Sequence, residues 1–211
     1  MHRYFLLLAM LVSASMLGLG CNESSSSSYG KNHDFGQNDP TLYVCIGDSI
    51  TQGIGGVTPY PSYLAQILDR RVVNQGVAGE RVAAGAARTA SVLDAQCPGY
   101  VLILHGLNDV IDGRGPEQII PYLRSMIQAA KARNVLPAIS TITPFVGTRE
   151  ELNDTISAVN RQIRALAAEE EILLVDGERV IRGRTDYVLA DGFHVSEAGA
   201  LALAAAWADR L

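Results

Sequence analysis

Short apolar runs alternate along the chain with longer stretches in which apolar residues recur at helical spacing. The short runs are rich in Val, Ile and Leu, which is typical of strands buried on both faces of a parallel sheet. They predict strands at residues 41–46, 72–74, 100–105, 135–142 and 172–175. The longer stretches predict helices at 62–69, 82–95, 117–133, 151–169 and 196–211. This alternation implies right-handed crossovers and a three-layer α/β/α sandwich with a central, mostly parallel five-stranded sheet.

Length and composition agree with one folded domain. The chain has 211 residues, of which 48% are hydrophobic and 18% charged, so it can bury a core and is not globally disordered. Its 17 basic and 22 acidic residues give a net charge of -5, and no run of Lys or Arg forms a local basic patch. We therefore expect no nucleic-acid partner.

The N-terminus has the pattern of an export signal. Residues 1–20 carry Arg3, an apolar run too short to span a bilayer and then small residues, as in a secretory signal peptide. Cys21 follows directly and resembles the lipidated first residue of a bacterial lipoprotein, with ordinary cleavage and secretion as the alternative. Residues 21–40 are Ser-rich and predict a flexible tether. We thus expect a domain at 41–211, in the periplasm or outside the cell, with a possible membrane tether through lipidated Cys21.

The two remaining cysteines, Cys45 and Cys97, are not expected to form a disulfide. One predicted strand contains Cys45, and another follows Cys97. If these two strands are parallel neighbours, the two thiols lie more than about 20 Å apart. A disulfide needs Cα atoms within about 7 Å. Cys45 is then a small buried residue.

Polar clusters follow the first three predicted strands, and a fourth precedes the last helix. They are the segments 47–51, 74–80, 106–109 and 191–194. Because ligands bind at the carboxyl ends of the strands in open α/β sheets, all four clusters are expected at one rim.

The histidines narrow the search for a general base. His2 belongs to the signal and His33 to the tether, and His105 is expected to be a structural residue at a strand end. His194 remains, and Asp191 can reach its Nδ1 within one short loop, which leaves Nε2 free to take a proton. Ser49, in the tight turn after the first strand, is the best-placed nucleophile.

Together these segments resemble the SGNH, or GDSL-like, hydrolase family over residues 44–199, with all four motif blocks in order. The resemblance implies the flavodoxin-like form of the α/β/α fold. It also implies a catalytic triad of Ser49, Asp191 and His194. The implied oxyanion hole consists of the Ser49 N–H, the Gly79 N–H and the Asn108 side chain. Gly76, in the same block as Gly79, is expected to form the turn. The segment from Asn108 is somewhat like the thioesterase I and lysophospholipase branch.

The predicted function is that of a serine esterase that cleaves carboxylic esters without a metal or organic cofactor. The substrate could be an acyl ester, an O-acetyl group, a lysophospholipid or a thioester. Two other functions stay open: a non-catalytic cell-surface glycan-binding module and a nucleotide-binding domain on the same fold. Asp48 and Asp109 are expected to hold turns rather than a metal. No substrate-binding residue is assigned, although some apolar residues could line either an acyl slot or the core; they are Ile111, Phe145, Val146 and Phe193.

Overall fold

A computed structural model describes residues 29–211, so the predicted signal peptide and Cys21 lie outside the described residues. The five strands are β1 Asp39–Gly47, β2 Arg71–Gly76, β3 Pro98–Leu104, β4 Leu136–Ser140 and β5 Leu173–Val175. The longer helices are α2 Tyr60–Leu68, α3 Val82–Gln96, α5 Pro116–Lys131, α6 Asn153–Glu169 and α8 Glu197–Ala208. Three short helices were not predicted as separate elements: α1 Ser49–Gln52, α4 Leu107–Ile111 and α7 Gly177–Ile181.

The five strands form a single, entirely parallel sheet in the order β2-β1-β3-β4-β5. Helices α2 and α8 pack together on one face, and α3, α5 and α6 pack together on the other. This is the predicted three-layer α/β/α sandwich. The central strand β3 is buried along its whole length, as its unbroken apolar run predicts.

Successive strands are added on one side of β1 and then on the other, so the direction in which the sheet grows reverses between β1 and β3. From β1 the chain first moves outward to β2, and it then crosses back to add β3, β4 and β5 on the other side. In open parallel sheets, a crevice forms at such a reversal beyond the carboxyl ends of the strands. The segments after β1 and β3 therefore border the crevice where a ligand site is expected.

The folded region begins earlier than predicted. Strand β1 starts at Asp39 rather than at residue 41, and Asp39 pairs with Pro98 at the start of β3. Residues 29–38, predicted to be part of the flexible tether, contact the domain, because the Tyr29 hydroxyl donates to the Pro137 carbonyl at 2.5 Å and the Phe35 ring packs on Tyr100. The segment is otherwise polar, so its two aromatic residues did not predict that it packs on the domain.

The described cysteines are both free, with Cys45 buried and Cys97 exposed. Cys45 pairs in register with Leu102, well along β3, whereas Cys97 precedes that strand. The strand register thus separates the two thiols, as predicted.

Candidate active site

Ser49 lies directly beyond the carboxyl end of β1, at the first residue of helix α1. The preceding Asp48 caps this helix, since its Oδ1 accepts from the Ile50 N–H at 3.0 Å. Gly47 is required by close packing: a Cβ atom there would lie 2.3 Å from the Leu104 carbonyl oxygen. The turn between β1 and α1 therefore holds Ser49 at the reversal point of the sheet.

His194 and Asp191 reach this serine from the loop before α8. The Ser49 Oγ lies 2.9 Å from His194 Nε2, and His194 Nδ1 lies 2.7 Å from Asp191 Oδ2. Because the carboxylate accepts from Nδ1–H, Nε2 is left as the acceptor for the serine hydroxyl. The three side chains singled out in the sequence therefore form one continuous chain of hydrogen bonds, although 145 positions separate Ser49 from His194.

Backbone hydrogen bonds hold Asp191 in this position. Its Oδ1 accepts from the N–H groups of Phe193 at 3.1 Å and His194 at 3.0 Å, while the Thr148 hydroxyl donates to its carbonyl at 2.7 Å. Partial burial raises the pKa of Asp191, but hydrogen bonds from the His194 side chain and the loop N–H groups outweigh it and lower the pKa below its usual value. Asp191 is thus an anion that can hold the His194 ring and stabilise its protonated form.

Gly79 and Asn108 lie on the two segments beside Ser49. Gly79 follows β2 and has φ +73°, a conformation that favours glycine. Its loop is tied to the end of β1 because the Val77 N–H donates to the Gly47 carbonyl at 3.0 Å. Asn108 is in α4, directly after β3, and its Nδ2 donates to the Glu80 carbonyl at 3.0 Å.

Several potential donors therefore border the crevice. Among residues 29–211, the N–H groups of Ser49 and Gly79 have no hydrogen-bond acceptor in the protein. Asn108 uses one amide hydrogen on Glu80 and keeps a second. N–H groups left unpaired beside a nucleophile are what an oxyanion site requires.

The sequence reasoning missed a buried charged group behind these donors. The Glu80 carboxylate accepts from Arg88 and from His105 Nε2, at 2.7 Å and 3.1 Å. His105 is buried, which agrees with the structural role expected for it, but its partner was not predicted. One sequence signal was present: Gly85 interrupts an otherwise Ala-rich helix, and a glycine inside a helix often marks a close approach.

Apolar side chains surround Ser49 on the α2 side. A narrow recess beside Ser49 and His194 is lined mainly by apolar residues, namely Ile50, Ile54, Val57, Pro59 and Val195. Of the four candidates for an acyl slot, Phe145 and Val146 are core residues, at 2% and 7% exposure. Phe193 and Ile111 are partly buried against the core. The Phe193 ring also packs on the His194 ring, with 4.0 Å between the centroids, so it supports the imidazole.

The acidic residues of the crevice have protein partners. Asp109 accepts from the Val82 N–H at 2.8 Å and from Arg114, while Asp48 caps α1. Burial raises the pKa of Asp48, despite an opposing effect of His105. Within the described part of the chain, no group of three or more His, Cys, Asp or Glu side chains is arranged to hold a metal ion. None of the helices in residues 29–211 has the length and apolar character needed to cross a bilayer.

One known family of hydrolases matches most of the described part of the chain. The family model of GDSL-like lipases and acylhydrolases matches residues 45–202. The chain belongs to this family. Esterase TesA of Pseudomonas aeruginosa is 34% identical over 167 residues, covering 73% of this chain and 79% of that protein.

Solved structures of GDSL proteins share the fold. A G-D-S-L family protein from Desulfitobacterium hafniense superposes with a TM-score of 0.74 at 24% identity, covering 81% of this chain and 99% of that one. The crystal structure of TesA gives a TM-score of 0.71 at 29% identity, covering 80% and 97%. Membership of the GDSL family makes the protein a carboxylic ester hydrolase that acts on small-molecule esters.

Proposed function

We propose that this GDSL hydrolase is a serine esterase in which Ser49 is the nucleophile, His194 the general base and Asp191 the carboxylate that orients the ring. The observation that carries this proposal is the uninterrupted pair of contacts from Ser49 Oγ to His194 Nε2 at 2.9 Å and from His194 Nδ1 to Asp191 Oδ2 at 2.7 Å. Nucleophile, base and orienting group are each within hydrogen-bond reach of the next.

The reaction proceeds in two halves. Ser49 Oγ bonds to the acyl carbon as its proton passes to His194 Nε2, and the carbonyl electrons move onto the carbonyl oxygen. The tetrahedral adduct collapses, the bond to the leaving group breaks, and His194 gives its proton to the departing oxygen or sulfur. Water then attacks the acyl-enzyme with His194 as base again, releasing the acid and restoring the Ser49 hydroxyl.

The negative oxygen of each tetrahedral adduct needs hydrogen-bond donors. We assign this role to the Ser49 N–H, the Gly79 N–H and the Asn108 amide. The first two have no acceptor in the described protein, and the third has a hydrogen to spare. Ser49 N–H also opens helix α1 after a capping Asp48, so it points out of the helix end.

The decisive experiment compares hydrolysis of p-nitrophenyl acetate by the wild type, Ser49→Ala and Ser125→Ala. Ser125 is an exposed serine in α5 whose hydroxyl bonds only to the Tyr122 carbonyl, so it controls for loss of any hydroxyl. We expect Ser49→Ala to lower kcat by at least about 10⁴-fold and Ser125→Ala to leave it unchanged. A Ser49→Ala protein that keeps more than a tenth of the wild-type rate excludes the mechanism, and a wild type without hydrolysis favours the glycan-binding alternative.

The substrate we propose is a carboxylic ester with access from solvent, because the loops of the rim are short. An acyl-chain series run beside acetylated sugars, lysophospholipids and acyl-CoA measures which class gives the highest kcat/KM. Preference for a thioester or a lysophospholipid would match the branch to which the segment at Asn108 is similar.

We also propose that the protein is exported and anchored through a lipid on Cys21. The sequence of residues 1–21 supports this, because an apolar run and small residues precede Cys21 directly. Expression with a radiolabelled fatty acid tests it: label should enter the wild type and not Cys21→Ser. Label absent from the wild type, with protein recovered outside the cytoplasm, supports simple secretion.

A further inference from the structure

Glu80 joins the two segments that supply the proposed oxyanion donors. Its peptide nitrogen follows Gly79 in the chain, and its carbonyl oxygen accepts from Asn108 Nδ2 at 3.0 Å. A shift of Glu80 would therefore move the Gly79 N–H directly and release the Asn108 amide at the same time. Glu80 is thus bonded covalently to Gly79 and through a hydrogen bond to the Asn108 side chain.

The Glu80 side chain is fixed from behind the crevice. The carboxylate is 8% exposed and receives a forked contact from Arg88, whose nitrogens lie 2.7 to 3.1 Å from the two oxygens. Arg88 also donates to the Gln75 carbonyl at 2.7 Å, which ties α3 to the end of β2. Burial raises the pKa of Glu80, but hydrogen bonds from His105 and Arg88 outweigh it and bring the pKa to about 2. Glu80 is therefore ionised near neutral pH, and a buried anion held by two donors is rigid.

His105 completes the attachment from the strand that leads to Asn108. The Gly106 N–H donates to His105 Nδ1 at 3.1 Å, so Nδ1 carries a lone pair and the ring proton is on Nε2. That Nε2–H donates to Glu80 Oε2 at 3.1 Å, and the ring is 0% exposed. The end of β3, which places Asn108, is thus bound to the same carboxylate that fixes the Gly79 loop.

Helix α3 leaves room for this ring at Gly85. A Cβ atom at Gly85 would lie 2.5 Å from His105 Nε2 and 3.3 Å from Glu80 Oε2. Glycine in a helix interior is less favourable than alanine because it loses more backbone freedom on folding. The position of the imidazole beside the carboxylate accounts for a glycine that helix propensity disfavours.

We propose that Glu80 is a positioning residue of the esterase site: held by His105 and Arg88, it sets the spacing between the Gly79 N–H and the Asn108 amide. The proposal rests on the function proposed above. Glu80 contacts no reacting atom and moves no proton. Its effect is on the tetrahedral adduct rather than on substrate binding, because the two donors act on the charge that develops in that adduct.

The test is Glu80→Gln, with Glu178→Gln as the matched control. Glu178 is equally buried, at 5% exposure, and is held by Arg164 and Arg182 on the β5 side of the sheet. We expect Glu80→Gln to lower kcat about 10- to 100-fold with KM within threefold, since small misplacements of catalytic groups cost up to about 10²-fold. Affinity for n-butylboronic acid, which forms a tetrahedral adduct on serine, should fall by a similar factor.

Glu178→Gln should lower the melting temperature about as much as Glu80→Gln does. Its kcat and its boronate affinity should stay within twofold of the wild type. Equal kcat losses in the two variants would reduce Glu80 to a general stability role and overturn the proposal. So would a Glu80→Gln protein that binds the boronate as tightly as the wild type.

A second pair of variants tests the hydrogen bond itself. His105→Gln keeps an N–H near Glu80, whereas His105→Leu keeps an apolar side chain of similar size without a donor. We expect the Gln variant to retain at least fivefold more kcat than the Leu variant. Equal kcat values for both would contradict a role for the His105 to Glu80 contact.

Failure of this inference can be told apart from failure of the esterase mechanism. If Ser49→Ala abolishes hydrolysis but Glu80→Gln has wild-type kcat and boronate affinity, only the role of Glu80 is wrong. If Ser49→Ala remains active, the nucleophile has been misassigned and the positioning role falls with it.

Discussion

Asp191 and His194 lie on one exposed loop, whereas Gly79 and Asn108 come from two separate segments joined through a buried charged network. The Asp191 side chain is 39% exposed, while that of Glu80 behind the donors is 8% exposed. In the first region, the Asp191 carboxylate and the His194 ring bond to each other within four consecutive residues, and the Thr148 hydroxyl, 43 positions away, supports the loop from outside. The second depends on contacts between residues that are 25 to 28 positions apart.

Further contacts reinforce the second region. The Val82 N–H donates to Asp109, and Arg81 forms an ion pair with Asp112, so the segment between β2 and α3 is also joined to the residues that follow Asn108. The Asp191–His194 contact therefore forms within one loop, whereas Gly79 and Asn108 are brought together only by contacts between two different segments. In both regions, substitution of a reacting or donor group should affect the chemistry directly, whereas substitution of Thr148 or Glu80 should act through the position of those groups.

Apart from Ser49, the largest effect is expected at Asp191. Asp191→Asn keeps the size of the side chain but removes the acceptor for His194 Nδ1–H, so the ring can adopt the wrong tautomer; we expect kcat to fall about 10⁴-fold. The measurement is kcat for p-nitrophenyl acetate with a melting curve on the same sample. A loss below tenfold would mean that another group orients His194.

Asn108→Ala is expected to have the next largest effect. Loss of one oxyanion donor typically lowers kcat by about 10²- to 10³-fold and leaves substrate binding intact. Steady-state kinetics should show the change in kcat and not in KM. A variant within threefold of the wild type would remove Asn108 from the mechanism.

The buried network should appear as a pH dependence of stability. The pKa of Glu80 is lowered from 4.5 to about 2 in the folded protein, so the stabilisation from ionised Glu80 is complete above about pH 4.5 and is lost as the pH falls toward 2. Melting temperatures of wild type and Glu80→Gln, measured from pH 2 to 7, should converge at the acid end. Parallel curves over this range would show that the network carries no ionised carboxylate.

The smallest effect is expected at Thr148, which supports the exposed loop from outside. Thr148→Ala removes the 2.7 Å bond to the Asp191 carbonyl and should cost about 1 kcal/mol of stability with a two- to fivefold fall in kcat. Thr148→Ser keeps the hydroxyl and is the control. If both variants behave alike, the methyl group rather than the hydrogen bond supports the loop.

Much of the fold could be predicted because buried parallel strands and amphipathic helices leave periodic patterns. Five strands, their layers and the rim that gathers Ser49 and His194 all follow from such patterns. The start of β1 was missed by two residues, since Asp39 and Pro40 have low strand propensity and are held by the neighbouring β3. Residues 29–38 were missed for a similar reason: they are held by contacts with distant parts of the chain, among them the hydrogen bonds of Tyr29 and Asn38 and the ring contact of Phe35.

The Asp191-x-x-His194 spacing and the turn at Ser49 are properties of short segments, so the sequence alone was enough to single out those residues. The grouping of Glu80, Arg88 and His105 is different, because each belongs to a different element or turn and none forms a spaced motif with the others. Their contact exists only after α3 packs across the sheet and Gly85 admits the imidazole beside the carboxylate. Local chain geometry encodes the first kind of site residue, and long-range packing, which leaves almost no periodic trace, creates the second.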